Sequence, residues 1–166
     1  MAYLISEINQ MSQMAFVEVF GGVFEHTPEI ALQVWTKRPF VDVEDLHRQM
    51  VAIINDMSTE KQLRLICAHP ELGSKVKMAE ASINEQAGVG LDKMNAAEYE
   101  SFQIFNQSYK DKFGFPFIVA VKNHTKTSIL ELFESRLQNT PDVEKQQALN
   151  EIAEIGKFRL MSLVEG

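Results

Sequence analysis

Apolar residues recur along this chain at three- and four-residue intervals, in short runs punctuated by capping residues, proline and glycine. The pattern predicts helices almost throughout. Ser12 stands before an apolar run from Met14 to Phe20, which Gly21-Gly22 closes. Thr27-Pro28-Glu29 puts a cap, a first-turn proline and an acid in succession, predicting a helix that ends near Lys37, ahead of Pro39. Asp42 opens a helix with Val43, Leu46, Met50, Ile53 and Ile54 on one face. Thr59 and Gln62 form a capping-box pattern before Leu63 and Ile66, and Pro70 stops that helix at Ala68 or His69. Val76, Ala79, Ile83 and Ala87 make the next helical stripe, with Gly88 as its C-cap. Asn95 and Glu98 cap a long helix bearing Tyr99, Phe102, Asn106, Tyr109 and Phe113, closed by Gly114. Ile129, Leu132, Phe133 and Leu137 mark another, and Thr140-Pro141-Asp142 caps a last helix running to about Leu163. Phe115 to Val121 has strand propensity, but one strand among helices has no sheet to join. The expectation is an all-α, single-domain helical bundle of about eight helices over residues 1–166.

A chain of 166 residues can bury roughly 70% of its unfolded surface, so its core needs neither disulfide nor metal. The single cysteine, Cys67, forms no internal disulfide, which points to a reducing compartment. Within Leu65-Ile66-Cys67-Ala68 it reads as a small buried hydrophobe. A net charge of -7, with no basic run longer than Lys37-Arg38, argues against a nucleic-acid surface. The apolar run Phe115 to Val121 is far short of the roughly 20 residues that span a membrane. Met1 to Gln10 has no secretory pattern, and Val164-Glu165-Gly166 is no peroxisomal address. A cytoplasmic protein with no membrane or nucleic-acid partner is expected.

Candidate chemistry is sparse. No Gly-rich phosphate loop and no cysteine pair for zinc occurs. Glu44 and His47 form one Glu-x-x-His where a di-iron bundle needs two, so no metal is expected and His47 reads as a solvated helix-face residue. His124, beside Asn123 in a polar turn, reads the same way. His69 differs, because Pro70 restricts it to an extended conformation at a helix end and so aims its imidazole. That makes it a candidate for proton transfer, against the plainer reading of a histidine that complements the helix dipole. Ser82, Glu85 and Gln86 share one helical arc beside the apolar stripe, lining either a cleft or a solvated face. Arg159 lies on the stripe of Ala148, Ile152, Ile155 and Ser162. A buried guanidinium needs an anion, which is either an internal carboxylate or that of a substrate.

Longer blocks of text carry a further signal. They are Phe20-Gly21-Gly22-Val23-Phe24-Glu25-His26, Arg38-Pro39-Phe40, Ala68-His69-Pro70-Glu71-Leu72-Gly73, and the run from Ser82-Ile83-Asn84-Glu85-Gln86 to Asp92. Asn106 to Phe117, ending Phe113-Gly114-Phe115-Pro116-Phe117, and Arg159-Leu160 complete the set. In this order they resemble the OHCU decarboxylase family, which acts on 2-oxo-4-hydroxy-4-carboxy-5-ureidoimidazoline. The resemblance implies an all-α homodimer without cofactor that makes (S)-allantoin from this small-molecule substrate in urate breakdown. It implies that His69 is the catalytic acid/base and Glu85 its partner. It also implies substrate contacts from Pro70, Ser82, Ile83, Asn84, Glu85 and Gln86, from the backbone of Ile118, Val119, Ala120, Val121 and Lys122, and from Arg159.

Such a reaction leaves an electron pair behind, and without a cofactor the substrate must hold it. A ring C=N next to the carbon that loses carbon dioxide can do so. The rival class is a non-catalytic helical module that binds a ureide or a protein. It would need no titrating group at His69. A complex with the preceding hydrolase of the pathway is a third arrangement; no second domain is visible in the sequence.

Overall fold

Short polar side chains start most of the helices by accepting a bond from an otherwise orphaned backbone N–H. The computed structural model describes residues 2–73 and 80–165. Within them lie α1 (Ile5–Gln10), α2 (Gln13–Phe20), α3 (Glu29–Trp35), α4 (Val43–Asp56), α5 (Thr59–Cys67), α6 (Glu80–Gly88), α7 (Ala96–Phe113), α8 (Lys126–Arg136) and α9 (Pro141–Leu163). A 3-10 turn covers Val121–Asn123. Ser12 caps α2 through the Ala15 amide, Asp42 caps α4 through that of Asp45, and Asn95 and Glu98 close a reciprocal box on α7. Among the described residues the sole β pairing is an isolated parallel bridge, Tyr3 with Val164. The all-α architecture is therefore as the sequence predicts, and Phe115 to Val121 forms no strand.

The chain divides into two compact units, Met1–Ala68 with Ala153–Gly166, and His69–Ile152. In the first, α3 packs on α2 and on α4. Phe16, Phe20, Ile30, Val34, Leu46 and Met50 are buried there. Its Arg38-Pro39-Phe40 turn, with a cis Arg38-Pro39 peptide, is held by side chains. Asn9 brackets Phe40, its Nδ2 donating to the carbonyl at 2.9 Å and its Oδ1 accepting the amide at 2.8 Å. The Arg38 guanidinium lies 3.9 Å from the Trp35 ring centroid and donates to the Asn9 and Met11 carbonyls. In the second unit α7 packs on α8, and α6 on the 3-10 turn. Phe102, Tyr109, Phe117 and Phe133 form its aromatic centre, with Phe117 and Phe133 stacked at 3.8 Å.

Several local expectations shift. Ser58, not Thr59, caps α5, accepting from the Lys61 amide. Thr27 does not cap α3; its hydroxyl donates to the Glu25 carbonyl, and the helix ends at Trp35 rather than Lys37. Gly88 belongs to α6, and Gly90 (φ +81°) is the left-handed residue that ends it. The Leu91 amide then reaches back to the Gln86 carbonyl and the Gly90 amide to that of Ala87, the crossed pair that satisfies a helix end. Cys67 is exposed and Leu63 partly so, because α5 buries the arc of Leu65 and Ile66 and a continuous apolar run cannot point one way. His47 is half-buried, not solvated, with its Nε2 2.8 Å from the Ala153 carbonyl. His124 is half-buried too, its Nδ1 3.1 Å from the Ser128 hydroxyl of the same turn. Val76 and Ala79 of the predicted stripe lie outside the described residues.

Gly156 in α9 sits against Phe24, where an added Cβ would meet the ring at 2.7 Å. Phe24 is fully buried, so its ring would have to shift within a packed core. Gly156→Ala is expected to lower stability by about 1–3 kcal/mol through overpacking, read as a fall in urea midpoint at unchanged slope. An unchanged midpoint would show that Phe24 can move aside.

Candidate active site

Gly73, with φ +69°, turns the chain in the loop that follows α5. His69, the loop's first residue, is buried at 7% exposure, and Pro70 is half-buried. Two buried amide side chains grip consecutive residues of this loop. Asn106 of α7 donates from Nδ2 to the Leu72 carbonyl at 2.9 Å, and Gln86 of α6 accepts the Gly73 amide on Oε1 at 2.9 Å. Neutral amides suit this task, since each offers a donor or an acceptor without bringing a charge out of water. Gln86 Nε2 donates to no described residue, so its donor end remains for another group.

The described part of α6 buries its polar arc, one of the two readings the sequence left open, and turns Ile83 outward. Ser82 and Gln86 are buried at 5% and 7%, Glu85 is half-buried, Asn84 is exposed, and Ile83 is half exposed. The apolar stripe through Ile83 was expected inward, with the polar arc on its flank. The polar arc itself faces inward because Gln86 has a loop amide to meet and α6 packs on the 3-10 turn. Burying Ser82 and Gln86 while exposing Ile83 is poor packing for a core and reasonable for the wall of a polar site.

The expected backbone stretch is buried from Ile118 through Val121, with the Lys122 side chain exposed. Side chains hold it in place of a neighbouring strand. Arg136 Nη1 donates to the Ile118 carbonyl at 2.6 Å, and the Ala120 amide donates to Glu151 Oε1 at 3.1 Å. Arg136 also pairs with Glu144 (Nε to Oε1, 2.8 Å), which accepts from the Tyr109 hydroxyl at 2.7 Å and from Asn139 at 2.8 Å. Burial, reinforced by the bond to Glu144, pushes the Tyr109 phenol above its usual range, so it remains a donor. Sequence reasoning missed Arg136 and Glu144. The signal was available: Arg136 continues the inward stripe of Ile129 and Phe133, the same pattern that singled out Arg159.

Arg159 belongs to the first unit, and the other candidates belong to the His69–Ile152 unit. Its Nη1 donates to the Val23 carbonyl at 3.1 Å and to Glu25 Oε2 at 3.2 Å. Both side chains are buried, at 7% and 0% exposure. An internal carboxylate thus meets this guanidinium. Glu25 lay within the quoted Phe20-to-His26 block but carried no assigned role. Among the described residues no three His, Cys, Asp or Glu side chains converge as a metal would require.

The sequence model for OHCU decarboxylase matches residues 9–161. The chain belongs to the OHCU decarboxylase family. A 2-oxo-4-hydroxy-4-carboxy-5-ureidoimidazoline decarboxylase of Halalkalicoccus jeotgali is 40% identical over 159 residues, covering 96% of this chain and 90% of that protein. A uric acid degradation bifunctional protein of Bacillus subtilis is 41% identical over 162 residues, 98% of this chain but 33% of its own length. The crystal structure of an (S)-allantoin synthase superposes with a TM-score of 0.80 at 28% identity, over 97% of this chain and 54% of that one. OHCU decarboxylases are carboxy-lyases, so the chain is placed among enzymes. The matched stretch includes the His69 loop, α6, the 115–121 segment and Arg159.

The Arg159–Glu25 pair carries a direct test. Arg159→Met strands a buried carboxylate and is expected to cost roughly 3–5 kcal/mol of stability. Adding Glu25→Gln removes that stranded charge and should restore part of the loss. Denaturation of both single variants and the double variant completes the cycle, and strictly additive losses would show that the two side chains do not share an interaction.

Proposed function

We propose that this chain decarboxylates 2-oxo-4-hydroxy-4-carboxy-5-ureidoimidazoline to (S)-allantoin, in urate breakdown and without a cofactor. The observation that carries the reading is the match to the OHCU decarboxylase family over residues 9–161. Ser82 and Gln86 on the buried face of α6, with Gln86 tied to the loop that His69 opens, support it. The run of the match through both units supports their working as one domain over residues 1–166.

The chemistry asks little of the protein beyond placement and protons. Breaking the bond to the carboxylate carbon leaves an electron pair, which becomes a ring C=C as the neighbouring C=N pair moves onto nitrogen, where a proton is taken up. The hydroxyl then gives up its proton to become the new carbonyl, and the ureido-bearing carbon receives one. We assign the proton at the hydroxyl to His69, with Glu85 as its partner. Pro70 aims the imidazole by fixing the chain next to it. Ser82, Gln86 and the Ile118–Lys122 backbone read the polar edges of substrate, Gln86 through the Nε2 that its bond to Gly73 leaves over. Ile83 and Asn84 contribute through their place in the same turn of α6, since their side chains are exposed. Arg159 takes the substrate carboxylate in the proposal, with Glu25 fixing the angle of its guanidinium.

The proposal extends to a homodimer in the cytoplasm. Exposed Met14 and Val41 supply apolar surface for self-association. The lone Cys67 fits a reducing compartment, and among the described residues no helix is long and apolar enough to cross a membrane.

Two measurements test the function. His69→Asn should reduce turnover of freshly generated substrate by roughly 10²–10⁴-fold while the helical far-ultraviolet signal is retained. Parental turnover in a folded variant would remove His69 from the mechanism. The parent protein, with a strong chelator present, should yield one allantoin enantiomer by circular dichroism, since spontaneous decay protonates either face and a fixed site exposes one. A racemate at the spontaneous rate would favour a binding module, and loss of activity on chelation would require a metal.

A further inference from the structure

The buried segment that ends at Val121 poses a problem of backbone polarity. It is neither helix nor strand, so its peptide groups need partners other than a ladder. Two are met by charged side chains. The Ile118 carbonyl takes Arg136 Nη1 at 2.6 Å, and the Ala120 amide gives its hydrogen to Glu151 Oε1 at 3.1 Å. Ala120 is extended (φ -76°, ψ 92°). In a trans peptide the carbonyl of one residue and the N–H of the next point in opposite directions. The Val119 N–H therefore points away from Arg136, and the Val119 C=O points away from Glu151. No described residue bonds either Val119 group.

Both grips are themselves braced. Arg136 is fixed by its ion pair with Glu144 and by stacking 4.3 Å over the Phe117 ring. Glu151 Oε2 accepts from Gln147 Nε2 one turn earlier on α9 at 3.2 Å. A carboxylate facing a single backbone N–H is a strong, directional acceptor, and replacing it removes both the bond and the reason for that peptide's orientation. The segment leads directly into the 3-10 turn on which α6 packs, so its orientation is set beside the Ser82–Gln86 face.

We infer that Arg136 and Glu151 are positioning residues: they hold the Ile118 carbonyl and the Ala120 amide so that the Val119 N–H and C=O face the substrate as an adjacent donor and acceptor. An amide-like pair of that kind matches the N–H and C=O of a ureide. The inference rests on the decarboxylase reading above and says which of the five backbone positions reads the substrate and what aims it. Neither Arg136 nor Glu151 touches substrate in this arrangement.

Glu151 is the better handle, because it is only half-buried while Arg136 belongs to a buried ion pair. Glu151→Met removes the acceptor; Glu151→Asp keeps the charge but withdraws it by one methylene; Glu151→Gln keeps an oxygen that the Ala120 amide can use. The Met and Asp variants should raise both the KM for substrate and the Kd for (S)-allantoin, measured by calorimetry, by roughly tenfold to a hundredfold, with kcat changed far less. Glu151→Gln should stay within about threefold of the parent. A purely structural role would lower the melting temperature of the Met and Asp variants and leave KM and Kd at parental values, and that result would overturn the inference. Parental KM in all three folded variants would do the same. A parent protein that neither turns over the ureidoimidazoline nor binds (S)-allantoin would overturn the underlying reading, and this inference with it.

Discussion

Buried peptide groups must find partners, and in this protein two segments of the candidate site have neither helix nor sheet to supply them. The loop from His69 to Gly73 and the chain from Ile118 to Ala120 are irregular and largely buried. Side chains take over the work of a ladder: Asn106 and Gln86 on the first, Arg136 and Glu151 on the second. Each comes from a helix, so a regular scaffold fixes an irregular site. This division of labour explains why polar residues sit on the inner faces of α6 and α7, where an ordinary core would carry leucine or valine.

The same solution recurs in the first unit. Asn9 brackets both peptide groups of Phe40, Arg38 gathers the carbonyls of Asn9, Met11 and Trp35, and Arg159 shares Nη1 between the Val23 carbonyl and Glu25. Buried ion pairs contribute little net stability, since desolvation offsets most of the attraction, but breaking one partner leaves a stranded charge. Arg136–Glu144 and Arg159–Glu25 are therefore better understood as constraints on geometry than as sources of stability. Each arginine also donates to a backbone carbonyl, which converts a charge pair into a fixed position for the chain beside it.

For a decarboxylation whose substrate holds its own electron pair, fixed position is much of what a protein can add. The family match places the chain among decarboxylases, and in the proposed mechanism the second unit contributes placement. A loop tethered by Asn106 and Gln86 and a buried backbone stretch held by Arg136 and Glu151 suit that task.

Much of the architecture was legible in the pattern of residues. Ser12, Asp42, Asn95 with Glu98, and Gly114 mark helix ends where they are expected, because capping is a contact within one turn and needs no distant partner. His69 and Arg159 stood out for local reasons as well, a following proline and a place on an apolar stripe. Other features depended on residues far along the chain. The polar arc of α6 is buried where Gln86 meets Gly73, a choice between cleft and solvated face that the spacing alone left open. The segment from Phe115 reads as a strand by composition, and only Arg136 and Glu151, brought back by α8 and α9, make its buried, unpaired course tolerable. Whether Arg159 answered to an internal acid could not be read from α9, since Glu25 is 134 residues away. Short-range hydrogen bonding and helical periodicity are written into neighbouring residues. The choice of which polar groups are buried together is made only when distant segments meet, because desolvation and pairing belong to the contact and not to either residue alone.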